Sequence, residues 1–517
     1  MSDLSERIAR LTPAQLELLA RRLREEPRVA APPTPSVPRR DDPAAPAPLS
    51  FAQQRLWFLD QLMPGSAFYN IPSAVRLTGA LDAGALARSF REIVRRHESL
   101  RTTFEESGAG PVQRVAPAAG LKLTVEDLAG LPADEREARV RELAEEEART
   151  PFDLRRGPLL RVRLLRLGAE SHVVLLTMHH IISDGWSMSV LIRELVALYG
   201  AFVKGEPSPL PELPVQYADF AAWQRRRLSG EALERELSYW RERLAGASGF
   251  IDLPTDYERP AAQSFRGARQ RLALPGELAE ALTDLSRREG VTLFMTLLAG
   301  FLALLGHFTG EDDILVGSPV AGRERPELEG LIGFFANILV LRTDLSGDPT
   351  FRELLGRVRE TVLGADEHRE VPLDKIVDAV QAERDLSRTP LFQVAFTLQH
   401  APEEVFKLPG LTMQMLEVES GTAQFDLVLN MVEKGGGLSG TLEYSRDIFG
   451  AETAGRLLGN LVALLRHFAA RPEARLSELK GLLAEAEKSR LAAKRKELEA
   501  EGLARLRKIR RKGLSAG

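Results

Sequence analysis

The chain has 517 residues, of which 44% are hydrophobic and 27% charged, with a formal net charge of −4 and no cysteine. The lack of cysteine excludes disulfides, thiolate metal sites and a cysteine nucleophile, and the small net charge gives no indication of binding to nucleic acid or to a membrane. Length alone suggests two to four domains, and we expect a soluble, cytoplasmic and monomeric protein.

The first 48 residues are predicted to form two segments outside the main fold. Residues 1–28 place leucines at helical spacing, as at Leu16, Leu19 and Leu23, and this pattern predicts short helices. Residues 29–48 are rich in proline and alanine, which is typical of an extended linker without a core of its own. The helical segment is a candidate for docking to partner proteins.

From residue 49 to about residue 479, strand-like and helix-like segments alternate, a pattern that predicts an α/β fold. We place one lobe at residues 49–210 and a second at residues 211–478, because the four prolines in 207–214 mark a natural crossing. The predicted strands are 173–177, 272–274, 313–316 and 338–341. The predicted helices are 187–202, with Ser187 as N-cap, 277–288 and 293–305.

Residues 479–517 differ in character from the two lobes. Lysine and arginine dominate this segment, and a thin stripe of leucines and one isoleucine supplies its apolar residues. The pattern predicts a long amphipathic helix with a basic end. The helix is a candidate for docking to partner proteins, and a solvated tail is an equally good interpretation.

The sequence around residue 180 is the strongest candidate for chemistry. A predicted strand ends at Met178, His179 and His180 follow, and Asp184 and Gly185 then lead into a helix. Adjacent residues at a strand end point to opposite sides, so one histidine can face a channel while the other packs inward. Asp184 is expected to accept hydrogen bonds from backbone or from an arginine, and Gly185 suits a tight turn that a Cβ would obstruct.

Imidazole titrates near neutral pH, so one of these histidines could act as a general base, position a nucleophile or stabilise developing charge. The residues alone do not separate these roles. They also leave a purely structural histidine pair open. A metal site is disfavoured, because no second cluster of ligands accompanies the pair in the sequence.

Seven segments resemble, in the family's order, the motifs of condensation domains of non-ribosomal peptide synthetases. Residues 179–185, HHIISDG, match the HHxxxDG signature of that family. Each of the other motifs is short and weak by itself, but seven in the correct order are a specific pattern. The other six are SFAQQRLW at 50–57, RHESLRT at 96–102, YADFAAW at 217–223, IGFFAN at 332–337, VPLD at 371–374 and RDLSRTPL at 384–391.

The resemblance implies two lobes of the chloramphenicol-acetyltransferase type, arranged as a V, with the active site where they meet. A tunnel would admit the phosphopantetheine arms of a donor and an acceptor carrier protein from opposite sides. His180, the second histidine of the signature, would face this tunnel. The motif residues with structural roles would be His179, Asp184 and Gly185, with Arg101 as the partner of Asp184. His97 would brace its own helix end. Tunnel residues are expected at Trp186, Asn337 and Ser318.

The resemblance also implies a reaction. It indicates an acyltransferase that forms an amide from a carrier-bound thioester and an amine, in the biosynthesis of peptide natural products such as antibiotics. The opening motif at 50–57 is similar to that of domains that accept L-configured or achiral donors. No metal or other resident cofactor is implied, since the substrates arrive as phosphopantetheine thioesters. Ester formation and a non-catalytic recruitment role are the alternatives.

Two short segments allow more than one interpretation. Residues 436–439, GGLS, have the minimal form of a carrier attachment site, but they lie between two predicted strands and favour a hairpin turn. We therefore expect a stand-alone condensation enzyme whose carriers lie outside this chain. Residues 423–427 match the family region that lies over the tunnel as a latch, and an edge strand is the alternative.

Overall fold

The computed structural model describes residues 36–488 except 109, 119–120, 381–384, 386, 401–407, 417, 419–420 and 486. The predicted N-terminal helices at 1–28 therefore lie outside the described residues. So do Arg384 and Leu386 of the seventh motif, and residues 489–517 of the predicted C-terminal helix.

Fourteen strands and twelve α-helices make up the described residues, together with short 3₁₀ turns. The strands are β1 Ala47–Pro48, β2 Asn70–Thr78, β3 Thr102–Ser107, β4 Gly110–Val115, β5 Thr124–Asp127, β6 Leu160–Arg166, β7 Ser171–His179, β8 Gly267–Ala273, β9 Asp313–Val320, β10 Asn337–Asp344, β11 Val394–His400, β12 Thr412–Leu416, β13 Leu427–Lys434 and β14 Gly437–Ser445. The helices are α1 Phe51–Leu62, α2 Ala83–Arg96, α3 Ala133–Arg149, α4 Gly185–Val203, α5 Tyr217–Arg227, α6 Gly230–Arg243, α7 Gly276–Glu289, α8 Leu293–Thr309, α9 Pro326–Glu329, α10 Phe351–Glu367, α11 Leu373–Ala379 and α12 Ala451–Ala470.

The N-terminal lobe is built on a five-stranded sheet in the order β12-β2-β7-β6-β5. Its strand β7 contains the predicted strand 173–177 and is buried on both faces because its sequence is almost continuously apolar. Val173 and Leu175 pack in the core against α3, whereas Val174 and Leu176 pack in the other core, against α2 and α4. This alternation, the normal period of a strand, fixes which side each residue at the end of β7 faces.

The C-terminal lobe is built on a six-stranded sheet in the order β10-β9-β11-β13-β14-β8, in which β9, β11 and β13 run parallel. Helices α7, α8, α10 and α12 contribute to its single large core. The predicted strands at 272–274, 313–316 and 338–341 fall on β8, β9 and β10, and the predicted helices at 277–288 and 293–305 on α7 and α8. The two-lobe α/β architecture is therefore confirmed. The hairpin expected at 436–439 is also confirmed: Gly435 and Gly436 form the turn between β13 and β14, and residues 437–439 are the first of β14.

The two lobes share structure beyond a simple crossing at 207–214. Strand β12, which follows the C-terminal strand β11 in the chain, pairs with β2 of the N-terminal sheet. The loop before β10 also contacts the other lobe, since the Ser99 hydroxyl donates to the Ile332 carbonyl at 2.6 Å and the Ile332 N–H donates to His97 Nδ1 at 3.2 Å. These contacts hold the residues around 332 against the N-terminal lobe.

The second half of the predicted linker at 29–48 is packed against the lobes, which corrects the expectation of a free extended segment. Val37 is buried and its N–H donates to Glu327 Oε1 at 3.1 Å. The Arg40 N–H donates to Asp219 at 3.0 Å, and Ala47–Pro48 pair with β4. Composition predicted a free segment because these residues cannot form a core of their own. They need none, because their N–H groups and arginines bond to other elements.

Residues 479–485 and helix α4 add apolar side chains to the cores of the C-terminal and N-terminal lobes, respectively. Residues 479–485 are helical, and Leu479 and Leu483 are buried in the C-terminal core. Among the described residues, α4 is the one single helix long and apolar enough to cross a membrane, and α7 with α8 pass the same test as one bent pair. One side of α4 packs into the N-terminal core through Leu191, Leu195 and Leu198.

Candidate active site

The signature segment forms a short link between β7 and α4. Strand β7 ends at His179, residues His180–Ile182 make one 3₁₀ turn, and α4 begins at Gly185. Asp184 is the N-cap of α4, because its Oδ1 accepts from the Ser187 N–H at 2.9 Å. The predicted cap, Ser187, instead lies within the first turn. Asp184 fits the cap position because an aspartate in extended backbone can reach the third N–H of the helix.

His179 is held on the buried side of this link. Its side chain is 4% exposed, and its Nδ1 accepts a hydrogen bond from the Ile181 N–H at 3.1 Å. Burial, and the neighbouring His180, lower the pKa of His179 to about 3. The ring is therefore neutral at any ordinary pH, and its geometry is that of a turn-stabilising residue.

His180 lies on the opposite side and lines a cavity between the lobes. Its N–H donates to the Tyr69 carbonyl at 2.8 Å, and its ring contacts Phe334 edge-on with centroids 4.7 Å apart. Nδ1 is buried without a hydrogen-bond partner among the described residues, which leaves Nε2 as the nitrogen that can face the cavity. The expectation of one histidine packed inward and one facing open space matches this arrangement.

The surroundings of His180 favour its neutral form. Burial lowers the pKa of His180, and the positive charge of Arg55 lowers it further, whereas the charge of Asp184 and backbone groups of His180 and Ser183 raise it. Burial is the largest of these effects, so the net direction is downward. A neutral imidazole is the form that can accept a proton.

Asp184 joins the two lobes through a buried ion pair with Arg323. Its carboxylate accepts from Nη1 and Nη2 of Arg323 at 2.9 and 3.0 Å, and from the Phe335 N–H at 3.0 Å. The Arg323 side chain is 1% exposed and its guanidinium lies over the Phe335 ring, 4.2 Å from the centroid. The prediction that an arginine braces Asp184 is confirmed, but the prediction that Arg101 does so is wrong.

Arg101 cannot reach Asp184 because it is engaged at the end of a 3₁₀ turn. Its guanidinium donates to the Ala116 carbonyl and lies 3.7 Å from Glu98. Arg323 was missed because it belongs to no recognised motif and lies 139 positions from Asp184. Its one signal in the sequence is its place between strand β9 and the fifth motif.

His97 does more than brace its own helix. It follows the last residue of α2, and its Nε2 lies 3.1 Å from Glu194 of α4 while its Nδ1 accepts from the Ile332 N–H. Glu194 also accepts two hydrogen bonds from Arg96, both at 3.1 Å. This buried cluster links α2, α4 and the fifth motif behind the cavity.

The cavity encloses about 1240 Å³ of open space, its mouths included, and both lobes contribute to its walls. Asn337 lines it as predicted, although its amide is engaged with the wall loop, donating to the Arg369 and Val371 carbonyls at 2.9 and 2.6 Å. Trp186 and Ser318 are not among its lining residues, which corrects their predicted place in a tunnel. The lining includes Arg55, Tyr69, His180, Phe334, Asn337, Asp374, Gln424 and Phe425.

Local geometry explains why Trp186 and Ser318 lie elsewhere. Trp186 projects outward at the start of α4, 43% exposed, with its indole N–H donating to the Glu329 carbonyl at 2.9 Å. Ser318 is buried within β9 opposite Leu339. Both are close in sequence to residues that do matter to the site, and proximity along the chain was a poor guide to which way they face.

Gly185 does not form the tight turn that was expected of it. It is the first residue of α4, its φ lies outside the left-handed region, and among the described residues no heavy atom lies within 4 Å of the position that a Cβ would take. By contrast, a Cβ at Gly333 of the fifth motif would overlap the ring of Tyr217. The site therefore requires glycine at Gly333, and also at Gly322, where φ is 64° and a Cβ would overlap the Phe335 carbonyl.

Residues 421–426 run from a bridge at Thr422, beside the start of β8, to the wall of the cavity. The Ala423 N–H donates to the Phe265 carbonyl at 2.9 Å, and Gln424 and Phe425 line the cavity. Phe265 has a φ of 57° and its ring lies 4.3 Å from that of Phe68 in the N-terminal lobe. This placement supports the latch interpretation of residues 423–427, which stays a prediction.

The model of the family described as "Condensation domain" matches residues 44–492. The chain belongs to the condensation-domain family. It is 51% identical over 446 residues to a linear gramicidin synthase polypeptide of Brevibacillus parabrevis, covering 86% of this chain and 9% of the relative. It is 45% identical over 483 residues to phosphinothricin tripeptide synthetase PhsC of Streptomyces viridochromogenes, covering 93% of this chain and 44% of the relative.

Solved structures of condensation domains share the fold. The X-domain in complex with OxyB from teicoplanin biosynthesis superposes with a TM-score of 0.78 at 32% identity, covering 87% of this chain and 99% of the X-domain. The first condensation domain of the calcium-dependent antibiotic synthetase, in complex with a substrate analogue, gives 0.69 at 25% identity, covering 84% of this chain and 99% of that domain. The chloramphenicol-acetyltransferase-like fold predicted for the two lobes is thereby confirmed.

Condensation domains work with carrier-protein domains and act on phosphopantetheine thioesters without a cofactor of their own. The chain spans less than half the length of the curated relatives named above.

Proposed function

We propose that this condensation domain forms an amide bond by moving an acyl or peptidyl group from a donor carrier thioester to an amine on an acceptor carrier. The observation that carries the proposal is the placement of His180, whose ring lines a cavity between the lobes while its neighbours are held rigidly behind it. The similarity to peptide synthetases supports the choice of a thioester donor and an amine acceptor.

In the proposed reaction, the amine nitrogen attacks the thioester carbonyl carbon, and the carbonyl π electrons move to its oxygen. Nε2 of His180 accepts the proton that the nitrogen must lose, or holds the amine for attack. The carbon–sulfur bond then breaks, and the sulfur leaves as a thiol after taking up a proton. A lowered pKa suits the base role, because the imidazole is then neutral and ready at physiological pH.

The finer substrate assignment rests on motifs. The opening motif, on α1, supports a donor with L or achiral configuration, and the contribution of both lobes to the cavity walls supports separate donor and acceptor arms. We further propose that both carriers are supplied from outside these 517 residues. Ser439 of the candidate attachment site supports this, since it is paired on both sides within the sheet, with Val432 and with Ala273.

A recruitment role is the second candidate function. The specific observation in its favour is the similarity to the X-domain, whose structure is a complex with OxyB. A domain that serves only as a binding surface would not depend on His180. The two functions therefore differ in whether the wild-type chain itself forms the product.

The test is acyl transfer between two carrier proteins loaded with a donor thioester and an aminoacyl thioester, read as the mass of the acceptor. His180→Ala should reduce the transfer rate by about 10²–10⁴-fold, the usual contribution of a general base. His307→Ala is the matched control, because His307 is exposed on α8 and is not a lining residue of the cavity. Absence of transfer by the wild-type chain above the rate without enzyme would favour recruitment, full transfer by the His180 variant would show that His180 is not the catalytic group, and transfer to a hydroxyacyl acceptor alone would indicate ester formation.

A further inference from the structure

A second charged group lies in the same cavity as His180. Arg55 belongs to α1, where Ala52, Arg55 and Leu56 share the helix face that lines the cavity. The opposite side of α1 is fixed by the buried Trp57 and by a capping box between Ser50 and Gln53. The helix is therefore anchored at its start, which sets the direction in which the Arg55 side chain leaves it.

The Arg55 guanidinium is close enough to act on both polar groups beside it. Arg55, Tyr69 and His180 line the same cavity, and the charge of Arg55 lowers the pKa of His180 and opposes the rise in the pKa of the Tyr69 phenol. Burial raises the pKa of Tyr69, so the phenol keeps its proton at neutral pH and can donate it in a hydrogen bond. The Tyr69 carbonyl also accepts the backbone N–H of His180, so the two residues move together.

Two other arginines at the cavity are committed to carboxylates. Arg227 makes two hydrogen bonds to Glu370, at 2.7 and 3.2 Å, and Arg369 pairs with Glu324. Among the described residues, no carboxylate lies within ion-pair distance of Arg55. A cation that lies beside the reacting groups and is not paired with a carboxylate can stabilise a negative charge that forms during the reaction.

We propose that Arg55, assisted by the Tyr69 hydroxyl, is a catalytic residue that stabilises the oxyanion of the tetrahedral intermediate; this rests on the proposed function. As the amine nitrogen bonds to the thioester carbon, the carbonyl oxygen gains a full negative charge. The guanidinium and phenol donate hydrogen bonds to that oxygen, while His180 takes the proton from nitrogen. When the intermediate collapses, the oxygen returns its electron pair to carbon, the carbon–sulfur bond breaks, and the sulfur takes the proton from the His180 imidazolium and departs as a thiol.

The test measures kcat and KM for the acceptor in the two-carrier transfer assay with the full chain. Arg55→Met removes the charge at similar length and should lower kcat by about 10²–10³-fold, the usual cost of losing one oxyanion donor, with KM within threefold. Arg55→Lys keeps the charge and should recover at least tenfold of that loss. The acidic limb of the pH–rate profile of Arg55→Met should move to higher pH, because the charge that lowers the pKa of His180 is gone.

Controls separate this proposal from the proposed function and from folding. Arg155→Met is the matched control, since Arg155 is an exposed arginine that bonds to α1 through Gln61 and is not a lining residue of the cavity. If Arg55→Met does not fold by circular dichroism, Arg55→Gln takes its place in the same comparison. A kcat within threefold of wild type, or a loss confined to KM, overturns the oxyanion role while His180→Ala still reports on the proposed function. Absence of product from the wild-type chain would instead count against the proposed function.

Discussion

On the buried side of the signature link, Nδ1 of His179 accepts a backbone hydrogen bond and both oxygens of Asp184 accept several. On the other side of the same link, Nδ1 of His180 at the cavity has no hydrogen-bond partner among the described residues, and Gly185 is exposed with open space at its Cβ position. A buried polar atom without a partner costs free energy, and proteins tend to keep such atoms where function needs them. The comparison separates His179 and Asp184, which support the structure of the site, from His180, which is available for chemistry.

The Arg323–Asp184 pair should give the largest effect on stability. Arg323→Met leaves a buried carboxylate without its cation, so the free energy of unfolding should fall by roughly 3–5 kcal/mol. Denaturant unfolding monitored by circular dichroism measures this loss. Arg287→Met is the control, because the Arg287–Asp284 pair is exposed and should contribute about 1 kcal/mol at most.

A double variant sharpens this prediction. Asp184→Asn combined with Arg323→Met removes the stranded charge and should recover part of the loss, as expected for two residues that interact directly. If the single variant Arg323→Met were as stable as Arg287→Met, the ion pair would not hold the lobes together. The buried side of the link would then not be the rigid support that we describe.

His179 predicts a smaller, pH-dependent effect. Its pKa is about 3 in the folded protein and near 6.5 when unfolded, so the unfolded chain binds more protons as pH falls between these values. Stability is therefore lost as pH decreases from about 6.5, and at pH 5 this residue alone should cost about 2 kcal/mol. His179→Asn keeps an acceptor for the Ile181 N–H but does not titrate. Between pH 7 and 5, wild type should lose about 2 kcal/mol more than this variant, and equal losses would mean that His179 is not buried as described.

Sequence patterns predicted the parts of this site that depend on neighbouring residues. The alternation along β7 places His179 and His180 on opposite sides, and the periodicity of α4, α7 and α8 located these helices to within a few residues. The pairing of Asp184 with Arg323 could not be predicted in this way, because it joins two lobes at positions whose spacing carries no period. The packed segment 36–48 was missed for the same reason, since Val37 and Arg40 find partners on distant elements.

Glycine at position 185 gives the smallest expected change in stability and the clearest contrast between the two sides. Gly185→Ala adds a Cβ into open space at a helical φ, so the free energy of unfolding should change by about 0.5 kcal/mol or less. Gly333→Ala is the matched comparison, because its Cβ would overlap the Tyr217 ring and should cost roughly 1–3 kcal/mol. If Gly185→Ala folds normally but transfers acyl groups slowly, the space at residue 185 is needed by the substrates, since the backbone does not require it. If instead Gly185→Ala loses as much stability as Gly333→Ala, residue 185 is packed as tightly as the buried residues of the signature link. Gly185 could then not be contrasted with His179 and Asp184.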